Sequence, residues 1–261
     1  MAHDILTEIR GGAMIVTFNR PVHGNALNTE MANQLFNTLK LVTTDRAIRA
    51  VMLRGSGGNF MDGLDMTIYA GDVAKGIERH NELMLPYHSA IRELHVMEKP
   101  VLAMVTGKVT GPGLSFMLAS DVVLAGQSVE FNAGFTSYAI TPDGAASFFL
   151  TRKVGAAKAT EILMLSENFD ATTAERLNLV NGVVDDTKLQ DEALHWIDRL
   201  ADGPTKAFAG VKRLVSNAFH TEINSHMALE HAYWGSSTRT FDFREAVKAR
   251  IAKRPVKYSG A

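Results

Sequence analysis

Short apolar runs rich in β-branched residues alternate with stretches of helical period along the first two thirds of this chain, and that alternation constrains its fold more than any other feature. Residues 13–18 (AMIVTF) and 50–54 (AVMLR) have the length and composition of strands and end in glycine or polar punctuation. From residue 28 onward, Met31, Leu35, Leu39 and Val42 recur at the spacing of a helix with one buried stripe. The pattern returns with a strand at 101–106 (VLAMVT), an apolar helix over 113–119 and a further strand at 122–125 (VVLA). Strands alternating with helices imply an α/β architecture with helices packed on sheet faces.

From residue 151 the pattern is mainly helical. Asp170 offers an N-cap, with Thr172 and Glu175 at capping-box spacing, and Pro204 suits the first position of another helix. Nothing in the middle of the 261 residues has the composition of a linker. Residues 1–200 are therefore expected to form the core that carries the repeats and the site. Residues 201–261 are expected to form a helical region packed on that core or on a neighbouring subunit, because they supply no strands for a core of their own.

Composition narrows the chemistry. With 46% hydrophobic and 21% charged residues the chain has an ordinary globular balance, and no apolar run near the N-terminus is long enough for a signal or membrane span. A cytoplasmic protein without membrane or nucleic-acid partners is the expectation. The absence of cysteine removes thiolate nucleophiles and Cys-ligated zinc, and the nine histidines include no pair four residues apart, so no metal is expected. Residues 239–257 hold seven Lys or Arg against Asp242 and Glu245; this tail either meets ligand phosphates or is a solvated helix face. Gly55-Ser-Gly-Gly58 is no dinucleotide fingerprint, Gly107-Lys-Val-Thr lacks the upstream glycine of a phosphate loop, and Ser115 lies outside a nucleophile elbow.

The order of short motifs carries more. Val16-Thr-Phe-Asn-Arg-Pro21, Asn25-Ala-Leu-Asn28, Phe60-Met-Asp-Gly-Leu-Asp65, Thr106-Gly-Lys-Val-Thr-Gly-Pro-Gly113 and Ala119-Ser-Asp121 follow one another along the chain. Lys99-Pro100, Phe169-Asp-Ala, Leu179-Val-Asn181 and Lys253-Arg-Pro255 complete the series. In sequence and spacing this resembles the crotonase (enoyl-CoA hydratase/isomerase) superfamily over roughly residues 4 to 258. The resemblance implies a spiral of ββα units with a C-terminal helical region, and assembly into trimers or hexamers. It also implies an acyl-CoA substrate, with coenzyme A arriving as part of that substrate and no separate cofactor.

Members of that family hold the thioester oxygen with two backbone N–H groups while it gains enolate charge, an arrangement worth roughly 3 kcal/mol per donor in comparable enzymes. By position, Leu64 supplies the first. The second falls in Gly111-Pro112-Gly113, where Pro112 has no N–H, so Gly113 or the helix N-terminus is expected to replace it. By the same resemblance, the two glutamates of the hydratases fall at Ser115 and Phe135, so water addition by that route is not expected. Asp143, in Thr141-Pro-Asp-Gly-Ala145, resembles the acidic residue of the double-bond isomerases, although Pro-Asp-Gly is also ordinary turn chemistry. An apolar surround of Phe131, Phe135 and Tyr138 is expected to dehydrate it.

The resemblance also sets His23, Ala26, Asp62 and Gly63 near the substrate, with His23 equally readable as a loop histidine and Asp62 as a solvent-facing one. Asp65, Met66, Gly111, Phe135 and Tyr138 complete the expected binding residues. Two other readings follow from the altered donor site. One is a C–C bond hydrolase of β-diketone type that dispenses with coenzyme A, and the other is a catalytically degenerate binding or scaffold protein.

Overall fold

The computed structural model describes residues 3–261 and has two sheets at its centre. An antiparallel hairpin, β1 (Ile5–Arg10) and β2 (Ala13–Phe18), opens the chain, and helix α1 (Thr29–Thr44) follows it. Next come β3 (Ala50–Gly55), β4 (Met61–Asp62) and α2 (Val73–Val96). The same unit recurs as β5 (Val101–Val105), β6 (Lys108–Thr110) and α3 (Pro112–Ala119), then as β7 (Val122–Gly126), β8 (Glu130–Asn132) and α4 (Ala146–Leu165). In each turn the first strand joins a six-stranded sheet of order β1-β2-β3-β5-β7-β10 and the second joins a four-stranded sheet of order β4-β6-β8-β9. This is the spiral of ββα units that the sequence resemblance implied.

The short β9 (Phe169–Asp170), α5 (Ala171–Arg176) and β10 (Gly182–Val184) close the two sheets. Four helices end the chain: α6 (Leu189–Ala201), α7 (Thr205–Asn217), α8 (Ile223–Ser237) and α9 (Phe241–Ile251). No helix of the described residues is long and apolar enough to cross a membrane.

The strand runs lack polar alternation because both sheet faces are covered. On β3, Val51 and Leu53 face the main core beneath α1 and α2, while Met52 faces a second core formed with Leu189, Ala193 and Ile197 of α6. A strand buried on both sides has no solvent side to mark with polar residues. Helix ends follow local chemistry. Asn28 caps α1 by accepting from Met31 N at 2.7 Å, and the Lys99 ammonium takes up main-chain carbonyls at that helix's far end, Val42 O and Asp45 O.

The expected cap at Asp170 is the one found, and the start of α7 shifts by one residue. The cap of α5 is Asp170, which accepts from Thr173 N at 2.8 Å, rather than a box built on Thr172 and Glu175. Pro204 stands at the N-cap of α7, one residue before the first helical position. Arg49 ties the C-terminal region to the core through Thr205 Oγ1, Gly203 O and Tyr258 O.

Half-buried His95, near the end of α2, packs against Phe149 and meets Ser216 of α7 at 3.1 Å. Burial, then the nearby Lys212, Arg213 and Arg152 against the opposing Asp121, hold its pKa below the ordinary histidine value. An unfolded histidine titrates near about 6.5, so below that pH the unfolded chain binds the proton more readily than the folded one. This stability is therefore complete above about pH 6.5 and is lost as pH falls toward the lower folded value. Urea unfolding between pH 5 and 8 should show that decline, and His95→Gln should flatten it; parallel curves would exclude His95 as the cause.

Candidate active site

The spiral brings five distant segments around one small cavity of about 50 Å³. Gly63, Leu64 and Met66 come from the segment after β4, Gly111 and Pro112 from the start of α3, and Phe135 and Tyr138 from the turn after β8. Asp143 contributes from the loop before α4. Eight of the residues expected from the sequence therefore share one lining.

The Leu64 N–H has no acceptor among the described residues, although the Gly63 carbonyl before it and the Asp65 N–H after it are both bonded. Leu27 N donates to Gly63 O and Asp65 N donates to Leu27 O, both at 2.9 Å. An amide left free between a bonded carbonyl and a bonded amide, at the edge of a cavity, is a preorganised donor for a ligand oxygen. Gly111 adopts φ 50° and ψ −114°, a conformation closed to side-chain-bearing residues, and this directs the first turn of α3 at the cavity. Pro112 occupies the first helical position, where its missing N–H costs the helix nothing. Gly113 is fully buried and does not border the cavity; its Cα faces the main chain of Met61, so any donor role would run through the N–H at the helix end.

Asp143 is the cavity's carboxylate. One oxygen, Oδ1, accepts from Gly144 N at 2.7 Å and lies 2.6 Å from His88 Nε2. Its side chain is 33% exposed, so the expected dry surround of Phe131, Phe135 and Tyr138 needs correction. Phe131 is fully buried and stacks on Phe169 in the core, Tyr138 is largely exposed, and only Phe135 is a buried wall. The partner that the sequence reading missed is His88, on a helix it did not recognise.

Five expected residues lie outside the lining. Gly113 has been placed above. Asp65 caps the short turn at Met66–Tyr69 and pairs with Arg20 at 2.8 Å, which occupies its carboxylate in the scaffold. Burial raises its pKa and the bonds from Thr67 and Arg20 lower it, with a net shift below the ordinary value. Asp62 meets Lys108 at 3.3 Å and packs against Gly24. His23 is exposed in the turn before Gly24, and Ala26 gives its carbonyl to Arg20 at 2.6 Å. The seven basic residues of the tail are all exposed, and Arg254 is paired with Glu245 at 2.6 Å.

The two positions to which the sequence resemblance assigned a hydratase's glutamates, Ser115 and Phe135, are not acidic. Ser115 is fully buried and donates its hydroxyl to Asp143 O at 2.9 Å, and Phe135 is an apolar wall. A fifth segment, α2, adds His80, Met84 and Tyr87 to the lining. His80 Nδ1 is held by the Tyr69 hydroxyl at 2.8 Å, and burial with the nearby Asp143 charge raises the Tyr69 pKa.

Residues 8–261 match the family model of enoyl-CoA hydratase/isomerase. The chain belongs to that family. Among curated proteins, it is 35% identical over 99% of its length, and 98% of the relative's, to a Rhodobacter capsulatus protein named "Probable enoyl-CoA hydratase". It is 32% identical over the full length of both chains to the 1,2-epoxyphenylacetyl-CoA isomerase of Escherichia coli. Among solved structures, an enoyl-CoA hydratase from Polaromonas sp. JS666 superposes with a TM-score of 0.92 at 27% identity, covering 97% of this chain and 99% of that one. As a member of the hydratase/isomerase family the protein is an enzyme of acyl-CoA type with the crotonase fold, and the cavity at Leu64, Pro112 and Asp143 is its candidate active site.

Proposed function

We propose that the protein moves the double bond of an enoyl-CoA thioester, with Asp143 as the proton shuttle. The observation that carries this reading is that Asp143 is the one carboxylate among the described residues lining the cavity; the positions to which the family resemblance assigned a hydratase's glutamates, Ser115 and Phe135, carry no acid. One base suffices for a 1,3-shift. The Asp143 carboxylate takes a proton from the carbon beside the double bond, and the electron pair delocalises into a dienolate whose charge rests on the thioester oxygen. The resulting carboxylic acid returns the proton to the far end of the dienolate, so atoms and charge balance without a co-reactant. The free Leu64 N–H supports the oxyanion, and the helix end at Pro112–Gly113 adds the positive end of its dipole. His88 holds Asp143 in register and gives it a route to solvent.

Coenzyme A enters as part of the substrate, and assembly with further copies of the chain fits the exposed apolar residues of the last helices, such as Ile223, Met227 and Trp234 on α8. Incubation with a 3-enoyl-CoA, read by mass spectrometry and ultraviolet absorbance, tests the reaction. A product of unchanged mass with a conjugated double bond is expected; a product heavier by one water, or no product, would overturn it.

A further inference from the structure

His80 is a half-buried residue of α2 that borders the cavity and takes no part in the proton shift described above. Its Nδ1 meets the Tyr69 hydroxyl at 2.8 Å, and the two rings lie with their centroids 5.9 Å apart. The surrounding chain is arranged to hold this pair. Arg79 Nε donates to Ile68 O at 2.7 Å and ties the short turn at Met66–Tyr69 onto α2. Gly76 lets that turn come close, since a Cβ there would lie 2.8 Å from Tyr69 Cδ1 and 2.9 Å from Tyr69 Cα. Glycine weakens a helix, and here α2 carries one where only the bare backbone leaves room for Tyr69.

The bond to Tyr69 decides where the imidazole hydrogen sits. Burial, then the nearby Asp143 charge, raises the Tyr69 pKa, so the phenol keeps its hydrogen at neutral pH. A phenol is a stronger donor than a neutral imidazole N–H, and an imidazole nitrogen is a stronger acceptor than a phenol oxygen. The hydroxyl therefore donates to Nδ1, and the neutral ring carries its hydrogen on Nε2. A protonated ring carries one there as well. Tyr69 does not border the cavity, so the edge of the His80 ring that does is the edge bearing Nε2. That nitrogen has no partner among the described residues, and it is not a sealed atom.

We propose that His80 is a specificity-determining residue of the acyl pocket, its Nε2–H donating to an oxygen carried by the acyl group beyond the thioester carbonyl. The protein then prefers oxygenated acyl groups to their hydrocarbon counterparts. The Met66, Met84, Phe135 and Ile140 side chains beside it contact hydrocarbon and offer the donor no acceptor. An acyl group that fills the pocket displaces water from Nε2, and one without an acceptor leaves that donor unpaired.

The inference rests on the reading of the cavity as an acyl-CoA site but not on double-bond migration. Its test is therefore a binding measurement with saturated thioesters that cannot isomerise. Methoxyacetyl-CoA and butanoyl-CoA differ only by an ether oxygen in place of a methylene, and so do 3-methoxypropanoyl-CoA and pentanoyl-CoA. Isothermal titration should show the wild-type protein binding the ether of at least one pair about tenfold or more tightly. His80→Phe, which keeps a ring and removes the donor, should erase that preference by weakening the ether alone. Tyr69→Phe, which releases the ring to its other tautomer, should reduce the preference and leave the hydrocarbon affinity unchanged. Equal wild-type affinities in both pairs overturn the proposal, as does a preference that survives either substitution. An equal loss for ether and hydrocarbon in His80→Phe would put the donor on the thioester oxygen instead and overturn it too. Failure of the isomerase reading would appear separately, as binding of these thioesters without turnover of the 3-enoyl-CoA, whereas no binding of any thioester would overturn both.

Discussion

Replacing Asp143 with asparagine should lower the turnover of an enoyl-CoA by about 10²–10⁴-fold, the range that a positioned acid/base group contributes. Asparagine keeps the shape of the side chain and can still contact Gly144 N and His88, but it can neither take up a proton nor give one back. Thioester affinity should change little, because Leu64 N–H and the apolar wall are untouched, so the loss belongs to kcat rather than to KM. Steady-state kinetics with the 3-enoyl-CoA separates the two parameters. Turnover within a factor of two or three of the wild type would remove Asp143 from the mechanism, and an equal fall in kcat and rise in KM would make it a structural residue.

The second large effect is expected from Gly113→Ala. A Cβ at Gly113 would lie 2.5 Å from Met61 O and 2.9 Å from Met61 Cβ, and neither atom is the free end of a flexible side chain. Relief requires α3 and β4 to move apart, which opens the packing between Leu114, Phe116 and the strand. Overpacking of this kind costs about 3 kcal/mol, which lowers the melting temperature by roughly 6–12 °C in a domain of this size. Activity should fall with it, because the same displacement moves Pro112 relative to Leu64 across the cavity. Thermal unfolding followed by circular dichroism measures the first effect. A variant that melts with the wild type would mean that the helix start tolerates the methyl group and that glycine is not required there for packing.

Most of the scaffold could be read directly from the chain. The runs at 13–18, 50–54, 101–106 and 122–125 became β2, β3, β5 and β7 within a residue at each end, and α1 began one residue past its expected start. Such runs are legible because strands covered on both faces demand uninterrupted apolar side chains, whatever lies around them. Helix α2 escaped notice although Leu83, Tyr87, Ala90, Ile91 and Leu94 form its buried stripe, because Gly76 and Pro86 interrupt the local signal. Tertiary packing holds that helix in spite of its propensities. The strand β1 was also missed: beyond Ile5 it is exposed, and its pairing with β2 is a matter of main-chain hydrogen bonds that no side-chain pattern announces.

The site divided in the same way. Motif order placed Gly63, Leu64, Gly111, Pro112 and Asp143 together, because each sits at a sharp turn whose glycine or proline is written in the sequence. It also nominated Asp62 and Asp65, which the fold engages with Lys108 and Arg20. Whether a carboxylate meets a cation or a cavity depends on which segments the spiral stacks beside it, and a local pattern does not contain that. The sequence by itself determined the family, the layered α/β order and the lone acidic position before α4. Only the tertiary structure decided that His88 stands 2.6 Å from Asp143, since His88 comes from a helix more than fifty residues away in the chain.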